Sequence, residues 1–183
     1  MSRSAPLHRL VVALLLSCAV LVGTTACGDD DGGSQAASSS ASPSPTTSAQ
    51  KQKWAKTRFV ANAGLAAGAT YQWIVKPYRA GKFKKGADGR TVTMVKAGVA
   101  GAFAYNRLKA AADNAKGDPL LSKAVAPLTA GIDSLKDAAK QMGKGDAAGV
   151  GAFESVINSV KDAGKSAGAE VKNKVPSTSQ LGG

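Results

Sequence analysis

Histidine and cysteine are almost missing from this 183-residue chain: His8, Cys18 and Cys27 are its whole supply, all within the first 27 residues. Past Cys27 there is no imidazole and no thiol. A Ser-His-Asp or Cys-His nucleophilic centre therefore cannot be assembled there, nor a disulfide, nor a metal site with Cys or His ligands. Acids are scarce as well, 12 Asp and Glu against 24 Lys and Arg, which leaves a net charge of +12. Aromatic residues make up only 5% of the chain. Large aliphatic side chains are thin between residues 51 and 175, where Ala and Gly abound. A core built there must replace part of the usual side-chain bulk with close backbone approach.

What is present at the start is an address. Arg3, His8 and Arg9 precede an uncharged apolar run at residues 10–22, followed by the small residues Thr24, Thr25 and Ala26 and then Cys27. A positive start, an apolar stretch of about a dozen residues and a small-residue cut site make a secretory signal. The run is shorter than the ~20 residues a permanent membrane helix needs. With a cysteine directly after the cut, residues 24–27 resemble the signal of a bacterial lipoprotein precursor. The resemblance implies removal of residues 1–26, fatty acylation of Cys27 as the new N-terminus, and anchorage to the outer face of the cell membrane. The alternative is an ordinary secretory cut after Ala26, which would release the protein.

Apart from Cys27, Gln35 and Gln50, residues 27–50 are Ser, Ala, Pro, Thr, Gly and Asp, with no aliphatic larger than Ala. Such a composition cannot offset its ordering entropy, so it reads as a flexible tether with an end-to-end distance of ~25 Å. Residues 51–175 are expected to form one helical domain, and residues 176–183 a flexible tail.

The domain reads as all-α, with four helices at about 52–75, 91–115, 119–142 and 146–173 in an up-down four-helix bundle. Asp118 suits a helix cap and Pro119 the first helical position. Leu121, Val125, Leu128, Ile132, Leu135, Ala139 and Met142 then alternate spacings of four and three, with Pro127 expected to kink or split the helix. Asp146 is expected to cap the last helix, whose stripe is Val150, Phe153, Ile157, Val160, Gly164, Ala167 and Val171. These two should form an antiparallel hairpin across residues 143–145. Pro77 should end the first helix. Residues 59–75 and 97–106 carry no charge, which predicts helices buried on all sides. Gly64 with Gly68, and Gly98 with Ala102, match the small-xxx-small pattern that brings helix backbones together.

Residues 51–183 hold 22 basic and 9 acidic residues, a net of +13. Lys76, Arg79, Lys82, Lys84, Lys85 and Arg90 crowd the connection between the first two helices, with Tyr78 and Phe83 among them and Asp88 as the sole acid. In an up-down bundle that connection shares an end with Lys140 and Lys144. Such a pole suits an anionic surface: a phosphate-rich wall polymer or lipid headgroups. Nucleic acid is the weaker reading, because no recognised binding motif accompanies the charge. Trp73, Tyr78 and Tyr105 are candidate lining for a pocket between the first two helices. Asp133 and Asp137 share a helix face but are expected to pair with Lys136 and Lys140 rather than to act as a catalytic pair. The glycines at 86, 89, 143 and 145 lack the spacing of a phosphate loop.

No catalytic residue, metal or cofactor is implied. The leading expectation is a non-enzymatic extracytoplasmic lipoprotein whose basic helical module binds an anionic partner. The alternatives are a small-molecule or lipid carrier, and an envelope protein that self-associates into a homo-oligomer through its uncharged helices.

Overall fold

The computed structural model of the chain describes residues 47–182, so the signal segment, Cys27 and nearly all of the tether lie outside the described residues. The first helix opens on a reciprocal cap: the Gln50 amide donates to Thr47 Oγ1 at 3.2 Å and the Thr47 amide to Gln50 Oε1 at 3.3 Å. Each group satisfies a donor that a helix start would leave unpaired. Helix α1 (Ser48–Thr70) leads into a wide π turn (Tyr71–Val75) and then α2 (Lys76–Arg79). Pro77 does not end the helix as expected. A proline ring lacks a donor and presses on the carbonyl four residues back. Here the preceding turn is already widened, with the Lys76 amide donating to the Tyr71 carbonyl five residues away. The chain absorbs the proline and runs on to Arg79.

Helix α3 (Arg90–Ala115) follows a ten-residue connection, and Gly89 at its start holds φ +67°. Helix α4 (Pro119–Val125) is capped by buried Asp118, whose Oδ1 accepts from the Leu121 amide at 2.9 Å. At Pro127 the helix breaks into a 3-10 turn (Ala126–Leu128) before α5 (Thr129–Gly143), as the sequence predicts. Helix α6 (Val150–Ser166) is shorter than expected at both ends. Asp146 does accept from the Ala148 amide at 2.8 Å, but that closes a turn, and the helix starts four residues later. At the other end Gly168, with φ +69°, turns the chain out of the helix. The Ala169 amide donates to the Gly164 carbonyl at 2.7 Å and the Gly168 amide to the Lys165 carbonyl at 3.1 Å. That pair of bonds satisfies the last helical carbonyls and stops the helix. Val171 is buried nonetheless, from the non-helical chain beyond α6 rather than from a further helical turn.

This segment corrects a further expectation. Gly64 and Gly68 do not seat another helix; residues 169–177 cross α1 there. A Cβ at Gly68 would stand 2.1 Å from the Lys174 carbonyl oxygen, and one at Gly64 2.8 Å from that of Lys172. The Lys174 amide donates to the Gly64 carbonyl at 2.8 Å. Beyond the crossing Pro176 is buried, and α7 (Thr178–Gly182) lies beside α3 with Leu181 against the core. Gly98 behaves as expected, meeting a second helix: its Cβ would fall 2.7 Å from the Gly143 Cα of α5.

All regular structure among the described residues is helical, with four long helices, α1, α3, α5 and α6. Helix α3 packs along both α1 and α5, while α6 touches α1, α4 and α5. Phe59, Ile74, Met94, Leu108, Leu121, Ile132, Leu135, Met142 and Phe153 are fully buried between them. Ala66, Ala100 and Ala104 are sealed from solvent as well, so the α1–α3 contact is made largely of methyl groups and backbone. None of the described helices is long and apolar enough to cross a membrane.

Candidate anionic-binding pole

The connection between α2 and α3 is short of regular structure yet firmly built. Successive turn bonds stitch it together: Lys82 N–H to the Pro77 carbonyl, Lys84 to Gly81, Ala87 to Lys84 and Arg90 to Ala87. Gly81, Gly86 and Gly89 take positive φ, which other residues adopt only with strain. Phe83 is buried and meets the Tyr78 ring edge-on, with centroids 5.9 Å apart. Apolar anchorage at Phe83 leaves its neighbours Lys82, Lys84 and Lys85 exposed.

Arg90 belongs to this framework and not to the free cationic surface on which the sequence placed it. Its Nε donates to the Phe83 carbonyl at 2.9 Å and its Nη2 to the Gly145 carbonyl at 2.7 Å. The half-buried guanidinium thus ties the lysine-rich loop to the turn between α5 and α6. Both connections do share one end of the domain. Arg79 is also engaged, in an ion pair with Glu154 of α6. By contrast, no carboxylate among the described residues stands within ion-pair distance of Lys76, Lys82, Lys84, Lys85 or Lys96.

Three clefts divide the predicted pocket residues. Trp73 joins Lys76, Pro77, Lys82, Asp88, Thr93 and Lys96 around a cleft of about 410 Å³ between the end of the first helical rod and the start of α3. Tyr78 lies with Arg79, Phe83, Lys84 and Ala147 at a second, of about 340 Å³. Tyr105 lines a third, an open apolar groove of about 450 Å³ between α3 and α5 with Val95, Val99 and Ala102. The first of these lies between the first two helices, with only Trp73 of the three aromatics named for a pocket there. Lys96 and Thr93 were missed because they sit one to two turns inside α3, past the run of basic residues that ends at Arg90. Their approach to Lys76 and Lys82 follows from the helix crossing, which no local pattern encodes.

Chemically the Trp73 cleft offers three ammonium groups, one carboxylate, a hydroxyl and an indole face. Three ammonium groups beside a single carboxylate favour an anion with several oxygens, such as a phosphate. Of the acids elsewhere, Asp113, Asp118, Asp133, Asp137, Asp146 and Glu154 hold ion-pair or capping partners. Asp133 pairs with Lys109 of α3 at 3.0 Å rather than with Lys136, and Asp137 with Lys140 at 3.2 Å. Its hydrogen bond to Asp133, then the attraction of that carboxylate, hold the Lys109 ammonium above its ordinary pKa. Asp113 is held below the usual carboxylate range by its hydrogen bond to Lys116. Among the described residues no three Asp, Glu, His or Cys side chains gather as a metal site would require. No family model, curated protein or solved structure matches the chain.

Proposed function

We propose that this chain is a non-enzymatic, extracytoplasmic lipoprotein, tethered at Cys27, whose helical domain presents a lysine-rich pole to phosphate-bearing anions. The observation that carries the reading is the Trp73 cleft, where Lys76, Lys82 and Lys96 converge without ion-pair partners among the described residues. Lys84 and Lys85, exposed on the adjoining loop, extend the same field. Several ammonium groups within a Debye length of ~8–10 Å act together on a polyanion. Each contributes ~1 kcal/mol beside an anionic surface, and salt screens the sum. Wall polymer phosphates and lipid headgroups share this chemistry.

The long rods are read here as an up-down four-helix bundle: α1 with α2, then α3, then α4 with α5, then α6. Support comes from neighbour relations that close a ring, α1 to α3 to α5 to α6 and back to α1. Gly98 beside Gly143 and Lys109 beside Asp133 make α3 and α5 antiparallel. In that arrangement the pole faces one end of the bundle.

Two experiments test the reading. Mass spectrometry of the protein isolated from its host should find an acylated Cys27 as the first residue; a start elsewhere, or no acyl mass, removes the lipoprotein assignment. Binding to soluble polyphosphate should weaken steeply with added salt. Lys76→Gln, Lys82→Gln and Lys96→Gln together should reduce it by at least tenfold, since about 1.4 kcal/mol already gives that factor. Unchanged binding would reject the cleft as the contact site.

A further inference from the structure

Helix α3 was expected to be buried on all sides over its uncharged stretch, yet one face is bare. Val92, Val95 and Val99 are 59%, 51% and 43% exposed, and Ala102 is exposed beyond them. Spacings of three, four and three put these side chains on one face. The stripe is ~15 Å long at 1.5 Å per residue. It borders the apolar groove in which Val95, Val99 and Ala102 meet Ala139 and Gly143 of α5. The groove exists because Gly98 and Gly143 bring the two backbones together and leave no side chain to fill the surface above them.

Cations flank the stripe on both sides. Lys136 and Lys140 line the groove. Lys96 belongs to α3 itself, and with Lys76 and Lys82 it lines the Trp73 cleft. No acid lines the groove itself, although Asp137 pairs with Lys140 at its edge, and Asp88 is the one acid in the cleft. An apolar strip bordered by lysines on each side is the pattern of a helix lying in a membrane interface, with its apolar face at the acyl boundary and its lysines among the headgroups. A second copy of the chain fits this face poorly, because lysines would meet lysines on a domain of net charge +13.

We infer that the Val92–Val95–Val99 face of α3 is a membrane-docking surface for anionic phospholipid, with the valines entering the interface and Lys76, Lys82, Lys96 and Lys136 engaging phosphates. This rests on the lysine-pole reading and sharpens it. The preferred anion is one displayed on a bilayer, not one free in solution.

The test uses the chain carrying Cys27→Ser, so that no acyl anchor contributes, with phosphatidylglycerol vesicles, phosphatidylcholine vesicles and soluble polyphosphate as probes. The parent should sediment with the phosphatidylglycerol vesicles and not with phosphatidylcholine. Val92→Ser, Val95→Ser and Val99→Ser together should weaken vesicle binding by roughly tenfold or more through lost apolar contact. Polyphosphate binding and the helical circular dichroism spectrum should stay unchanged, since all three side chains already face solvent. A triple variant that binds vesicles as tightly as its parent overturns the inference. So does a parent that binds polyphosphate but no vesicle, an outcome that leaves the lysine-pole reading standing. A parent that binds neither probe defeats both.

Discussion

The two halves of the domain hold together by different means. The α5–α6 side relies on bulk: Ile132, Leu135, Met142, Phe153, Ile157 and Val160 interlock along two amphipathic stripes. The α1–α3 side relies on nearness: Ala63, Ala66, Ala67, Ala97, Ala100 and Ala104 bring backbone close to backbone, with few large side chains between. In the first case stability resides in buried area, in the second in the absence of anything that would hold the helices apart. Damage should follow the same division. Truncation ought to hurt the bulky half, and enlargement the small-residue half.

The largest expected effect is Phe153→Ala. This ring is fully buried and packs by Gly101 of α3, and its removal should cost about 3–5 kcal/mol in chemical denaturation. A loss under about 1 kcal/mol would mean the bulky half is not packed as described. Next comes a matched pair of glycine substitutions. Gly98→Ala forces a methyl group to within 2.7 Å of the Gly143 Cα, which should destabilise by about 1–3 kcal/mol. Gly151→Ala, in α6, meets open space and should stabilise by about 0.5–1 kcal/mol through helix propensity. Equal signs for the two would erase the distinction between the halves.

Thr70 sharpens the comparison from another side. It is buried where α1 opens into the π turn, and its hydroxyl has no hydrogen-bond partner among the described residues. Thr70→Val keeps the shape and removes the unpaired group, so thermal unfolding should show a gain of about 1 kcal/mol. A loss would reveal a partner for that hydroxyl. The smallest effect concerns the Lys109–Asp133 pair that links α3 to α5. A lysine whose folded pKa is raised adds stability that is full below its unfolded pKa and lost as pH rises through the folded one. Asp133→Asn should return Lys109 toward its ordinary titration, read by NMR of the side chain, with little change in midpoint temperature because exposed pairs contribute little. An unmoved titration would dissociate Lys109 from Asp133.

The same division decides what could be read from sequence. Regular spacing of bulky residues from Leu121 to Met142 marked the helix stripe, its Asp118 cap and its break at Pro127. Helix ends were less legible. Val171 keeps the rhythm of α6, and only the left-handed turn at Gly168, followed by the crossing of α1, takes it out of the helix. In the Ala- and Gly-rich half, lack of charge over residues 97–106 suggested burial all round, because a run of small residues has no pattern to separate an inner face from an outer one. Hence Val99 and Ala102 were assigned to the interior. Gly64 and Gly68 announced a close approach, which their spacing assigns to helix on helix because it does not encode that irregular chain would make it. At the pole, clustering along the chain identified Lys76, Lys82, Lys84 and Lys85. It could not separate them from Arg79 and Arg90, whose charges are taken up by Glu154 and by the Phe83 and Gly145 carbonyls. Nor could it bring in Lys96, which arrives through the packing of α3.

The central claim, that phosphate-bearing anions bind where Trp73, Lys76, Lys82 and Lys96 meet, can be read at one residue. The chain has two tryptophans, so Trp54→Phe leaves Trp73 as its only indole. Titrating that variant with polyphosphate should change the Trp73 emission saturably, and 0.5 M salt should reverse the change. Emission that stays constant through full binding, measured in parallel by calorimetry, would contradict the account.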